Sequence, residues 1–130
     1  MPRWKPALAL CVLSPLIEVI CSNVPASAFF RPVPFLFAAT VGYGFPVLVI
    51  REAFVRRKLG LMNLILLGMI YGFYNEGLIA RTLFHPFPCP VREFATYGLL
   101  GNVRIPWTLT LILTHALHSV LYPIAFVQWL

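Results

Sequence analysis

Hydrophobic residues along this chain fall into four long runs, separated by stretches rich in proline, glycine and basic residues. The pattern predicts helices over about 6–23, 35–50, 59–80 and 106–129, each near the roughly 20 residues that cross a bilayer core. Between the first two runs lies a loop at 24–34 with three prolines and Arg31. A longer connector spans 81–105. Its His85-Pro86-Phe87-Pro88-Cys89-Pro90 run is not helical, because proline restricts both itself and its predecessor. Pro106 suits the start of the fourth helix. Pro15, Pro46 and Pro123 fall inside predicted helices and kink them, a feature membranes tolerate. The expected architecture is all-α: a single polytopic membrane bundle of about four transmembrane helices with a structured Pro-rich cap.

Polar residues inside apolar helices are costly unless they face the bundle interior or water, so each marks a candidate site. Four ionisable groups qualify: Glu18, Glu76, His115 and His118. At about 100° per residue, Cys11, Ser14, Glu18, Cys21 and Ser22 share one face of the first helix. In the fourth, Thr108, Thr110, Thr114, His115, His118, Ser119 and Tyr122 gather on one half. Leu109, Leu113, Ala116, Leu117, Val120 and Ile124 fall on the other, the expected lipid face. Gly68, Gly72 and Glu76 form an i, i+4, i+8 stripe on the third helix, and Gly68-Met-Ile-Tyr-Gly72 is a GxxxG pattern that admits close helix contact. Counted from one end of the bundle, Glu18, Glu76 and His115 lie at similar depth, roughly 8–14 Å inside. Such a buried polar network either locks helices together, forms a chemical site, or ligates a haem or pigment through His115 or His118. Two imidazoles at i, i+3 share a face and could ligate one metal, with Glu76, Glu18 or loop residues completing a zinc set, but the pattern is unspecific and no metal ligand is assigned. Cys89 with His85 in the connector supplies only two ligands, too few.

Composition narrows the class further. The chain has 130 residues, 60% hydrophobic and 11% charged, with a mean hydropathy of +0.85. Soluble domains carry about 25% charged residues, so a soluble enzyme is excluded, as are disorder and a disulfide scaffold with only three cysteines. The net charge of +6 sits between the apolar runs, notably at Arg51, Arg56, Arg57 and Lys58, where it sets topology and meets anionic headgroups. Nucleic acid is not an expected partner. Counting basic residues per side places both termini in the cytoplasm, with the bundle in the plasma (inner) membrane. Arg3, Lys5 and Ala26-Ser27-Ala28 also outline a signal peptide, but Glu18 breaks the hydrophobic stretch, and a retained span is expected. Trp4, Trp107 and Trp129 fall at span ends as interfacial anchors.

Two segments carry a resemblance. Tyr71-Gly-Phe-Tyr-Asn-Glu-Gly-Leu-Ile-Ala-Arg81 and His115-Ala-Leu-His-Ser119 resemble motifs of the CAAX prenyl protease and bacteriocin-processing (Abi) superfamily. Glu76 and Arg81 match the first Glu and the Arg of its Glu-Glu-xxx-Arg motif, with Gly77 at the second Glu. His115 with Ser119 matches His-xxx-Asn with Ser for Asn; no histidine has Phe four residues before it. The chain also resembles a group of uncharacterised prokaryotic membrane proteins with the same Tyr-Gly…Glu-Gly-Leu and His-xxx-Ser pattern. The protease resemblance implies Glu76 as general base and His115 as oxyanion or proton-transfer partner.

Three functions follow as expectations. The leading one is a non-enzymatic accessory subunit of a larger membrane complex, respiratory or photosynthetic, packed through its helices. The alternative is an intramembrane hydrolase on Glu76, Arg81 and His115. The third is a transporter or channel component.

Overall fold

A computed structural model of the chain describes residues 4–21 and 37–129. The expected loop at 24–34, with Arg31, and Ser22 of the first predicted helix lie outside the described residues. Four helices follow in order: α1 (Trp4–Cys21), α2 (Phe37–Arg56), α3 (61–79) and α4 (105–129). Consecutive helices run antiparallel, and α4 also packs against α1. Two of them, Phe37–Arg56 and Ile105–Gln128, are long and apolar enough by themselves to cross a membrane.

The second helix runs six residues past its expected end at 50. Glu52 explains why: its carboxylate takes Arg51 Nη1 at 2.5 Å and, one turn on, Arg56 Nε at 2.9 Å. Both pairs lie along a continued helix, and Arg56 near its C-terminus also opposes the helix dipole. Arg57 and Lys58 are exposed in the tight turn, where Lys58 adopts φ 50°, before Gly60 starts α3.

Three helices are not α-helical throughout. Wide π-helical turns, closed by N–H to C=O bonds five residues back, occupy Thr40–Gly44 in α2, Tyr74–Ile79 in α3 and His115–Leu121 in α4. Two of these turns are followed, after one intervening residue, by a proline. Pro46 lacks the N–H that would bond the Gly42 carbonyl, and Pro123 lacks the one for Ser119. Each freed carbonyl instead accepts a hydroxyl from another helix: Tyr71 Oη donates to Gly42 O at 3.2 Å, and Ser14 Oγ to Ser119 O at 3.0 Å.

Packing divides the bundle into two ends. At one end Leu10, Val47, Leu64, Tyr71, Val120, Ile124 and Val127, drawn from all four helices, form an apolar core. At the other, the helices surround a cavity. Gly68 and Gly72 set the α3–α4 contact: a Cβ on Gly68 would stand 2.7 Å from Ala116 Cα, and one on Gly72 3.1 Å from Ile112 Cα. Outer faces are apolar. Phe37, Val41, Phe45 and Val49 line α2, and Met62, Leu66, Ile70, Tyr74 and Leu78 line α3, all exposed at fourfold spacing.

The expected lipid half of α4 needs correction. Leu109 and Leu113 are exposed, but Ala116, Val120 and Ile124 are fully buried, while Thr110 and Tyr122 are exposed. The helix is flanked by both α1 and α3, and its π turn rotates the residues beyond His115 off the 100° register. Trp107 is also corrected: it is 6% exposed, stacked at 5.7 Å on Phe94, and not an interfacial anchor. The side chains of Trp4 and Trp129 lie outside those described.

The connector folds onto the cavity end. β1 (Leu99–Leu100) and β2 (Val103–Arg104) pair antiparallel across a two-residue turn whose first residue, Gly101, has φ 59° as such turns require. Arg104 organises the rest. Counted in the sequence as loop charge, it is 2% exposed, and its guanidinium donates to the carbonyls of Ala95, Thr82, Phe84 and Phe87 at 2.6–2.9 Å.

Candidate functional site

At the cavity end, three helices bring ionisable groups to one point. His115, on the first residue of the α4 π turn, is 2% exposed. Its Nδ1 lies 2.9 Å from the Leu111 carbonyl one turn earlier, an acceptor only, so Nδ1 carries a proton. Its Nε2 meets three groups: Asn75 Nδ2 at 2.9 Å, Glu18 Oε1 at 3.2 Å and Glu76 Oε1 at 3.4 Å. The remaining carboxyl oxygens are also engaged. Ser119 Oγ donates to Glu18 Oε2, and Thr82 Oγ1, at the start of the connector, donates to Glu76 Oε2.

The geometry ties the proton count of all three groups together. With a neutral ring, Nε2 is a bare acceptor and suits the Asn75 amide, but it then faces two carboxyl oxygens. If both carboxyls are ionised, that arrangement is repulsive, and the network settles by placing one more proton on Nε2 or on a carboxyl. In the first case Asn75 turns its oxygen to the N–H, a rotation its near-symmetric amide permits. The cluster ties α1, α3 and α4 together at one imidazole nitrogen.

Above it opens a cavity of about 560 Å³. Glu18, Glu76, Asn75 and His115 supply its polar part; Ala39, Tyr43, Ile79, Leu111 and Trp107 supply apolar wall, and Pro90 and Val91 of the connector border it. Glu18 and Glu76 each keep about 12% of their side-chain surface exposed, so the carboxyls are reachable. All three π turns fall at this level of the bundle, where such turns commonly serve sites by re-aiming side chains.

Not every candidate joins. His118 does not line the cavity; its ring stands edge-on to Tyr122 at 5.3 Å, and its Nδ1 has no hydrogen-bond partner among the described residues. A metal shared by His115 and His118 is therefore not supported, and no group of three His, Cys, Asp or Glu suited to a metal occurs among the described residues. Ligation of haem or pigment by His115 would have to displace the partners of Nε2. Arg81 ends α3 with φ 58°, is exposed, and lays its guanidinium 5.5 Å from the Phe87 ring centre, away from the cavity lining. Glu76 and His115 thus meet without the arginine that the protease resemblance requires. Gly68 and Gly72 pack α3 on α4, while Arg51, Arg56, Arg57 and Lys58 lie at the α2–α3 turn, remote from the site in the chain.

Asn75, Thr82 and Tyr43 were not singled out in the sequence. Asn75 had a usable signal, a lone amide in an apolar run beside Glu76. Thr82 had none, since its reach to Glu76 depends on how the chain turns at Arg81.

Residues 8–130 match a family described as an uncharacterized membrane protein family. No curated protein and no solved structure matches the chain, and nothing in the comparisons supports kinship to CAAX proteases.

Proposed function

The chain belongs to this family of membrane proteins, and from that premise we propose that it is a four-span bundle in which Glu18, His115 and Glu76 bind a proton at the floor of a solute cavity, the working part of a small transporter. The observation that carries this reading is one imidazole nitrogen within 3.4 Å of carboxyls from two other helices, opening on a cavity of about 560 Å³. Intramembrane carboxyl and imidazole groups are what proton-linked pathways use. Ligand pockets run roughly 300–1,000 Å³, so the space suits a small solute. Hydrolysis is less well supported. Both ring nitrogens of His115 are engaged, Ser119 is fully buried, and Arg81 points elsewhere, which leaves a base without an evident oxyanion partner.

The test is infrared spectroscopy of the protein in lipid vesicles, following the carboxyl C=O band between roughly pH 4 and 8, where carboxyls and imidazoles titrate. A band that titrates in the wild type and is lost in Glu18→Gln/Glu76→Gln supports the proton site. A wild type with no titrating band, or with one unchanged in the double variant, overturns it.

A second reading has its own observation. Every carboxyl oxygen of Glu18 and Glu76 already has a partner within the chain, as in an interhelical lock. That suits an accessory subunit of a larger complex. Native mass after mild extraction separates the two: a stoichiometric large assembly favours the subunit, and a monomer or small homo-oligomer favours the transporter.

A further inference from the structure

We infer that the cavity above Glu18, Glu76 and His115 takes a small organic cation with an apolar body, bound in exchange for a proton. The inference rests on the proton site proposed above and names its ligand class.

Charge is the first argument. Among the described residues lining the cavity are two glutamates and one histidine, with no lysine or arginine. The buried Arg104 is spent on four carbonyls of the connector, and exposed Arg81 on the Phe87 ring. With both carboxylates ionised, one imidazolium offsets only one of them, so the described lining carries a net negative charge in low-dielectric surroundings, which favours a cation over an anion.

The walls are the second argument. Ala38, Ala39, Ile79, Leu111 and the connector's Val91 offer apolar surface, and Tyr43 and Trp107 offer aromatic rings of the kind that hold ammonium groups. Trp107 itself is more than nine-tenths buried, so its ring is a fixed part of this wall.

Exchange with protons follows from the same groups. The titratable side chains around the site are Glu18 and Cys21 on α1, Tyr43 on α2, Tyr71 and Glu76 on α3, and His115 with the neighbouring His118 on α4; the connector brings Thr82, Pro90 and Val91, which do not titrate. A proton and the cation compete for the same negative charge at this cluster, so each displaces the other. Affinity therefore rises with pH.

The experiment uses the full chain in mild detergent and two probes of nearly one shape, tetraphenylphosphonium and tetraphenylborate, which differ in the sign of their charge. Binding is read by calorimetry and by quenching of tryptophan fluorescence. Expected are tetraphenylphosphonium binding at least tenfold tighter than tetraphenylborate, affinity that increases with pH, proton release on binding, and at least tenfold loss in Glu76→Gln and in Glu18→Gln. Glu52→Gln, whose carboxyl pairs with Arg51 and Arg56 outside the cavity, leaves affinity unchanged. Equal binding of both probes overturns the inference, because it means partition by hydrophobicity alone. So does phosphonium binding that both glutamine variants retain. A variant that fails to fold is recognised by native mass, and Glu76→Asp then supplies the test, keeping the charge while shortening its reach. A carboxyl band that titrates with no phosphonium binding rejects the cation and leaves the proton site standing.

Discussion

A methyl group added at Gly68 would press within 2.7 Å of the Ala116 backbone, whereas one added at Gly42 meets nothing within 4 Å. Gly68→Leu therefore forces α3 from α4 and costs on the order of 1–3 kcal/mol, as overpacking does. Gly42→Ala leaves stability unchanged or slightly higher. Unfolding of both variants in graded denaturing detergent checks this; equal stability would mean that α3 and α4 do not rely on close contact. The Gly68–Gly72–Glu76 stripe is readable in the sequence because three residues at fourfold spacing must share a helix face. Arg104 is not readable in that way. Its burial depends on carbonyls from residues 82, 84, 87 and 95, which only the folded connector gathers around it.

Helices in this protein are shaped by where hydrogen bonds are missing. Pro123 frees the Ser119 carbonyl, and Ser14 of α1 takes it. Ser14→Ala is expected to cost about 0.6 kcal/mol, the mean for interhelical hydrogen bonds in membranes. In a Pro123→Ala background the restored N–H competes for that carbonyl, so the Ser14→Ala penalty shrinks toward zero. A double-mutant cycle measures the coupling, and strictly additive losses would refute the account. Helix existence was legible from apolar runs; the ends and the turns were not. Arg51 and Glu52 read as a boundary, yet their ion pairs carry α2 on to Arg56. The π turns were invisible because a fixed 100° step assumes an α-helix throughout, and that assumption misplaced Ala116, Val120 and Ile124.

Viewed as a whole, the bundle has an apolar end around Leu10, Val47 and Ile124 and a polar end around His115, wrapped by exposed apolar faces that suit lipid. Antiparallel order places the α2–α3 turn and the β1–β2 hairpin at opposite ends. If all four helices cross the membrane, single cysteines at Lys58 and at Asn102, in a background with Cys11, Cys21 and Cys89 replaced, are labelled from opposite sides by an impermeant maleimide. By the count of basic residues at 51–58, Lys58 is expected to be labelled from the cytoplasmic side. Labelling of both positions from one side would reduce the number of crossings. The hydrophobic pattern alone determined that the chain is a helical membrane protein, because burial in lipid needs long apolar helices whatever their neighbours. It also picked out Glu18, Glu76 and His115, since an ionisable group in such a helix stands out without a fold. Tertiary structure alone decided that these three share one nitrogen, that His118 and Arg81 stay apart from them, and that Thr82 and Arg104 complete the cavity end. Those contacts join residues up to 101 positions apart, and their geometry depends on helix pairing, π turns and a folded connector that no local spacing encodes.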